Sequence, residues 1–141
     1  MKLSTRGKYG LLAMYALALH AREGPQTLQS ISTVGVPKQY LEQILGRLRR
    51  AGLVTTVRGA QGGYQMAGDP AEISLRDIID AVEGPIELSE CASAQESCQK
   101  SGTCPVRWVW QRVTDSINHE LDKIKLSDML TQSCESEADR T

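Results

Sequence analysis

The first part of the chain repeats apolar residues at helical spacings. Leu11–Leu19 is apolar on nearly every side, which is typical of a helix at the centre of a core. We therefore predict a first helix over about Arg6–Ala21, which Gly24-Pro25 would end. Thr27 can cap a short second helix, LQSIS, through its hydroxyl.

The third predicted helix, PKQYLEQILGRLRRAG, is two-sided. Pro37 fits its first turn, where the missing N–H costs nothing, and Gly52 is suited to end it. The opposite side of the helix is polar and basic, so we expect one face to pack on a core and the other to be free for contacts. The apolar face has residues at intervals of three and four: Leu41, Ile44, Leu45 and Leu48.

Strand-like alternation replaces the helical spacing after Gly52. Leu53–Arg58 is rich in β-branched residues, and Tyr64–Ala67 has a similar character. Three glycines between them can supply the positive-φ positions of a hairpin tip. Three helices followed by such a hairpin is the order of elements in a winged helix-turn-helix.

Further helices of different length are predicted in the second half. Ser74 can cap the first of them, LRDIIDAVEG. Residues 105–124 predict a helix of roughly 30 Å, with an apolar residue at every third or fourth position, and a short helix, LSDMLTQ, follows. A narrow apolar stripe on a long terminal helix is typical of a dimer seam, and packing on its own domain is the alternative.

The net charge of −1 hides a strong asymmetry. Residues 1–60 contain nine basic and two acidic side chains, a net +7, whereas residues 61–141 carry −8. A basic front half indicates a domain that binds a polyanion, although chance clustering of solvated charges is the plain alternative. The longest apolar run, nine residues, is too short for a membrane span, and the amino terminus does not fit a signal peptide. We therefore expect a cytoplasmic protein with reduced thiols and no membrane partner.

The sequence contains no motif that supports catalysis. The glycine-rich GAQGGY does not precede a helix, so it fails as a phosphate-binding loop. Neither histidine lies near a cysteine in sequence, as a base for a catalytic thiol would. We expect a binding protein and not an enzyme, with a small thiol or iron–sulfur oxidoreductase as the competing class.

The third helix is the candidate recognition helix. Side chains at the amino end of such a helix reach base edges in the major groove, where Gln pairs with adenine and Glu accepts from cytosine. Phosphate contacts suit the amino end of the first helix and the arginines at the end of the third, and an arginine at the wing suits a minor groove. The candidate DNA-binding residues are Ser4, Arg6, Lys8, Lys38, Gln39, Tyr40, Glu42, Gln43, Arg49, Arg58 and Gly59.

Three of the four cysteines, Cys91, Cys98 and Cys104, lie within fourteen residues. Their spacing lacks the paired C-x2-C of common zinc sites, and a disulfide framework does not suit a reducing compartment. Three thiolates on a loop can hold an iron–sulfur cluster, which tolerates irregular spacing. A cluster-free thiol switch stays open on these residues alone, and Cys134 is interpreted as a bystander.

Six stretches of the sequence together carry a resemblance to a known family. They are MKLSTRGKYGLLAMYALA, QYLEQILGRLRRAGLV, VRGAQGGY, ISLRDIIDAVEGPI, the three-cysteine loop and LDKIKLSDM. In this order they resemble the IscR-type iron–sulfur-cluster regulators, a bacterial family of winged-helix transcription factors, as far as about Leu130. The resemblance implies a homodimeric repressor or activator whose cluster sets which double-stranded operators it binds. It implies that Cys91, Cys98 and Cys104 ligate the cluster, a two-iron unit or alternatively a four-iron unit. Cluster-assembly proteins become candidate partners.

The chain departs from that family at the positions expected to supply a fourth ligand. Relatives with three Cys and one His carry the His three residues after the third Cys, where this chain has Arg107. Nitric-oxide-sensing relatives use an acidic residue near the amino end, where this chain reads Arg6-Gly7-Lys8. The fourth ligand is unassigned, and its candidates are Glu90, Glu96, His119, Cys134 or an exogenous small ligand.

Two further points bear on transfer from the family. The turn before the recognition helix, STVGVPKQY, is one residue shorter than is usual, which can shift base contacts. Some relatives have lost the cluster and bind a protein partner or sense thiols directly. A cluster-free, thiol-based or partner-regulated regulator is therefore the alternative function.

The expected fold is mainly α with a small β-hairpin wing. A winged helix-turn-helix DNA-binding domain would occupy residues 1–83, and a cluster-binding loop residues 84–104. A dimerisation helix and a short carboxyl-terminal helix would fill residues 105–133, and residues 134–141 would form a flexible tail.

Overall fold

Helices make up most of the structure, and a two-stranded hairpin lies between the third and fourth of them. The computed structural model describes residues 5–86 and 105–131. Its mainly α content with a small hairpin confirms the fold class predicted from the pattern. The elements in chain order are α1 (Thr5–Leu19), a 3-10 turn (Ala21–Glu23), α2 (Leu28–Ser32), α3 (Lys38–Arg50), β1 (Val54–Val57), β2 (Gly63–Met66), α4 (Leu75–Glu83), α5 (Pro105–Lys123) and a helical segment at 126–131.

The ends of the helices follow local capping chemistry. The Thr27 hydroxyl accepts the Ser30 N–H at 3.2 Å and so caps α2. The Ser74 hydroxyl accepts the Asp77 N–H at 3.1 Å, and the Asp77 carboxylate accepts the Ser74 N–H at 3.1 Å. This reciprocal pair is the capping box that begins α4, so both predicted caps are confirmed.

Two helix boundaries differ slightly from the prediction. α1 ends at Leu19, because the chain then tightens into a 3-10 turn in which the His20 carbonyl accepts the Glu23 N–H at 3.0 Å. Pro37 precedes α3 instead of opening its first turn. Its extended backbone, with ψ at 136°, still lets its carbonyl accept the Leu41 N–H at 3.1 Å, so Pro37 begins the helix from outside.

The core lies where α1, α3 and α4 meet. The apolar stripe predicted for α3 is fully buried, as are residues from both neighbouring helices. Gly10 of α1 lets α4 approach closely, since a Cβ at this position would lie 3.0 Å from Val82 Cγ2. Burial of this apolar surface is the main force that holds the three helices together. The side chains of these helices that are at most 1% exposed are Ala13, Met14, Leu17, Leu41, Ile44, Leu45, Leu48, Ile78 and Val82.

The hairpin is antiparallel and is tied to the connection between α1 and α2. Val54 pairs with Met66 at its base, and Val57 pairs with Gly63 near its tip. Gln26 donates its N–H to the Tyr64 carbonyl at 2.7 Å and accepts the Tyr64 N–H at 2.8 Å. Gln26 thus acts as a third, one-residue strand. It lies so close to Gly63 that a Cβ there would collide with its carbonyl oxygen.

α5 is joined to the rest of the described chain mainly through its carboxyl end. Arg76 of α4 forms a 2.8 Å ion pair with Asp122, and the Ile124 carbonyl accepts the Leu75 N–H at 2.9 Å. None of the nineteen residues of α5 is buried. Among the helices that the structure describes, none combines the length and the hydropathy needed to cross a membrane.

We predict opposite stability changes for two glycine-to-alanine substitutions. Gly63→Ala should lower the free energy of unfolding by about 1–3 kcal/mol, because the new methyl group collides with the Gln26 carbonyl. Gly46→Ala, with open space around its Cβ position inside α3, should raise it by about 0.5–1 kcal/mol. Urea unfolding followed by circular dichroism measures both. A Gly63→Ala protein as stable as the wild type would show that the Gln26 bridge contributes little.

Candidate nucleic-acid interface

The outer face of α3 gathers most of the predicted base-contacting residues. Because the apolar stripe is buried, the helix can present only its polar side to solvent. No acidic residue lies in its first turn, and three arginines lie near its carboxyl end. A negative ligand at the amino end of α3 therefore meets the positive end of the helix dipole without competition from a carboxylate in that turn. The predicted contact residues on α3 are all exposed: Lys38, Gln39, Tyr40, Glu42, Gln43 and Arg49.

A cleft joins the amino end of α1 to the recognition helix. Its volume is about 370 Å³. The rings of Tyr9 and Tyr40 lie 6.1 Å apart between centroids, at an angle of 31°, and connect the two helices there. Among the described residues that line the cleft, two are arginines and none is acidic, so its walls favour an anion. Its lining residues are Thr5, Arg6, Tyr9, Tyr40, Gln43, Ile44 and Arg47.

The structure places the predicted α1 residues at this same surface or beside it. Arg6 lines the cleft, and Lys8 is exposed in the same turn region of α1. Ser4 lies outside the described residues, so its predicted contact stays a prediction. Sequence reasoning missed the pairing of Tyr9 with Tyr40, because no local pattern relates residues that far apart along the chain.

The wing presents Arg58 and Gly59 at its exposed tip. Gly59 has φ at 113°, a left-handed conformation that glycine adopts without strain, and its carbonyl accepts the Gly62 N–H at 3.0 Å. This tight turn holds the tip compact, so that its backbone can approach a groove closely. Arg58 directly follows β1, in the position predicted for a minor-groove contact.

Arg47 behaves differently from the neighbouring arginines of α3. Its Nη1 donates to the Val82 carbonyl of α4 at 3.3 Å, a contact between helices. Arg49 and Arg50 are exposed in the last turn of α3, where cations favour the helix dipole and can reach phosphates. The sequence alone predicts a phosphate contact for all three arginines.

The proposed cluster ligands Cys91, Cys98 and Cys104 lie outside the described residues. Within residues 5–86 and 105–131, no group of three or more His, Cys, Asp or Glu side chains could hold a metal ion. A cluster would therefore depend on the three thiols, and soft thiolates are the donors that iron–sulfur clusters take.

The described residues narrow the choice of a fourth ligand. Arg107 lies in the first turn of α5, and a guanidinium, always protonated, cannot ligate iron. His119 lies on the same helix, fourteen residues after its first residue, Pro105, or about 21 Å along the helix axis. We therefore expect His119 to be too far along α5 to ligate a cluster held by Cys104, the residue before Pro105, in the same chain. The predicted ligand candidates Glu90, Glu96 and Cys134 lie outside the described residues.

Comparison with known proteins finds similarity to transcriptional regulators. The sequence profile of Rrf2, described as an iron-dependent transcriptional regulator, matches residues 3–132. The chain is 38% identical over 134 residues to the HTH-type transcriptional regulator IscR of Aliivibrio salmonicida, covering 94% of this chain and 79% of that protein. These relatives are named as regulators and not as enzymes.

Two solved structures show the same fold at substantial sequence identity. IscR of T. potens superposes with a TM-score of 0.77 at 42% identity, covering 94% of this chain and 88% of that one. CymR, the global cysteine regulator of B. subtilis, superposes with a TM-score of 0.76 at 39% identity, covering 94% of this chain and 98% of that one.

The polar face of α3 predicts different roles for Gln43 and Arg49. On an operator selected from random duplexes, Gln43→Ala should cost about 1–3 kcal/mol of binding and relax the preference at one base pair. Arg49→Gln should weaken binding to all duplexes alike and lower the slope of log K against log salt by about 1. Fluorescence anisotropy at several salt concentrations measures both. Equal losses from Gln43→Ala on selected and random duplexes would contradict base reading by Gln43.

Proposed function

Because this chain belongs to the Rrf2 family of transcriptional regulators, we propose that it binds a double-stranded operator in the cytoplasm as a homodimer and that an iron–sulfur cluster controls this binding. The observation that carries the DNA-binding part is the outer face of α3, with its buried stripe on one side and exposed Lys38, Gln39 and Gln43 on the other. The cationic cleft beside it extends the same surface to Arg6 of α1.

The exposed apolar side chains of α5 support a homodimer. Trp108 is 59% exposed, Val106 50% and Val113 40%, although such residues are ordinarily covered. Their spacing places Val106, Val109 and Val113 on one side of the helix, as in a coiled-coil seam. A second copy of this chain presents the same stripe, so two α5 helices related by a twofold axis would cover each other.

The seam predicts that a single charge on α5 dissociates the dimer. Val113→Glu should shift the protein to a monomer at micromolar concentration, because an unpaired carboxylate is costly in an apolar interface. Gln111→Glu, which adds the same charge two residues earlier and off the stripe, is the matched control and should remain dimeric. Analytical ultracentrifugation gives the mass, and circular dichroism checks that both variants are folded. A dimeric Val113→Glu protein would contradict the seam.

The cluster part of the proposal rests on Cys91, Cys98 and Cys104. Three thiols in fourteen residues supply a donor set that suits an iron–sulfur cluster, and the Rrf2 profile is described as iron-dependent. When bound, such a cluster would cross-link three points of one segment. This cross-link would form or be lost with the supply of iron, sulfide and oxidant. The fourth ligand would come from Glu90, Glu96, Cys134 or an exogenous molecule. Arg107 cannot ligate iron, and His119 of the same chain lies too far along α5.

Anaerobic purification tests the cluster directly. We expect wild-type protein to contain iron and acid-labile sulfide and to change its operator affinity when the cluster is removed. Cys98→Ala should lose most of the iron and resemble the cluster-free protein, because two thiolates and one weak ligand hold a cluster poorly. Ser97→Ala, which changes the residue next to Cys98 and no candidate ligand, is the matched control and should retain the wild-type iron content. Iron-free wild-type protein that still discriminates its operators would contradict the cluster.

A cluster-free regulator of the same fold is the second candidate. It is favoured by Arg107 at the position where three-Cys, one-His relatives carry their histidine, and by the similarity to the global cysteine regulator CymR. In that case the anaerobic protein would be colourless and free of iron. Its operator affinity would instead respond to thiol oxidation or to a protein partner.

A further inference from the structure

The last turn of α4 is a junction between three helices. Val82 is fully buried, and its side chain packs against Gly10 of α1, where a Cβ would come within 3.0 Å of Val82 Cγ2. Its carbonyl accepts the Arg47 Nη1 of α3 at 3.3 Å. One residue of α4 therefore contacts both α1 and the recognition helix.

The same turn leads directly into the cysteine-bearing segment. α4 ends at Glu83. The next residue, Gly84, has φ at 87°, which turns the chain away from the helix, and its N–H donates to the Asp80 carbonyl at 3.0 Å. Cys91 follows Gly84 by seven residues. The end of α4 is therefore the first part of the DNA-binding fold, along the chain, that a change at the cysteines can reach.

Arg47 extends this junction to the DNA-facing surface. It is one helical turn from Gln43 and two turns from Tyr40, and all three line the cationic cleft. A helix moves nearly as a rigid body, because its packed stripe allows few alternative arrangements. A displacement of the Val82 carbonyl would therefore shift or tilt the side chains that meet the bases.

We propose that Arg47 is a positioning residue that ties the recognition helix to the last turn of α4 and so makes operator affinity depend on the state of the cysteine-bearing segment. The proposal rests on the cluster control described under the proposed function. It assigns to Arg47 a role different from that of a phosphate contact. Its guanidinium donates to the Val82 carbonyl of α4, whereas Arg49 lies exposed in the last turn of α3.

Salt dependence distinguishes a positioning residue from a phosphate contact. A side chain that neutralises a phosphate lowers the slope of log K against log salt by about 1 when it is removed. Removal of a positioning residue changes the affinity and leaves the slope unchanged. Arg49→Met, which removes an arginine two residues further along the same helix, is the matched control and should show the reduced slope.

The experiment compares cluster-loaded and cluster-free dimers of the full chain on the selected operator. Coupling between two sites is commonly about 5–150-fold in affinity. For Arg47→Met, we expect the ratio of the two dissociation constants to fall below about 2, with the wild-type salt slope. Arg47→Lys retains one donor and should restore part of the ratio. A wild-type ratio in Arg47→Met, or a salt slope lowered by about one phosphate, would overturn the proposal.

Hydrogen exchange on the cluster-free protein supplies a readout that does not require a cluster. Arg47→Met should accelerate amide exchange in the last turn of α4 and the first turns of α3, whereas Arg49→Met should not. Unchanged exchange in Arg47→Met would overturn the tie between the helices. If the wild-type protein contains no iron, cluster control fails, and the exchange result still decides whether Arg47 holds α3 to α4.

Discussion

Burial of one apolar stripe on α3 is the constraint on which the rest of this structure depends. Leu41, Ile44, Leu45 and Leu48 fix the rotation of the helix about its own axis, because exposing them would cost several kcal/mol of apolar burial. That rotation decides which side chains face solvent. Lys38, Gln39 and Gln43 lie on the solvent-facing side because the opposite side of the helix packs against the core.

Local signals allowed most of the fold to be predicted from the sequence. Thr27 and Ser74 are short polar residues directly before apolar runs, and both cap helices through hydrogen bonds to residues three positions away. The three-and-four spacing of α3 and the glycines of the hairpin are equally local. Such features involve neighbours in sequence, so a reader of the sequence can find them.

The contacts that sequence reasoning missed join residues far apart along the chain. Gln26 bridges Tyr64, Tyr9 meets Tyr40, and Arg47 reaches Val82. Each depends on how whole helices pack, and no periodicity or capping rule relates the partners. Arg47 is an example. Its place beside other arginines in the sequence suggests a phosphate contact, whereas its guanidinium donates to the Val82 carbonyl of α4. The predicted cysteine ligands and domain boundaries stay predictions.

The bridge between Gln26 and Tyr64 has a consequence for how operators diverge. The hairpin is hydrogen-bonded through Tyr64 to Gln26, in the connection between α1 and α2, so the wing cannot move away from the helices without breaking these two bonds. A changed gap between the wing contact and the α3 contact within one half-site would therefore cost these bonds. Relatives that read altered base pairs should therefore differ on α3, and relatives that tolerate a new distance between half-sites should differ along α5.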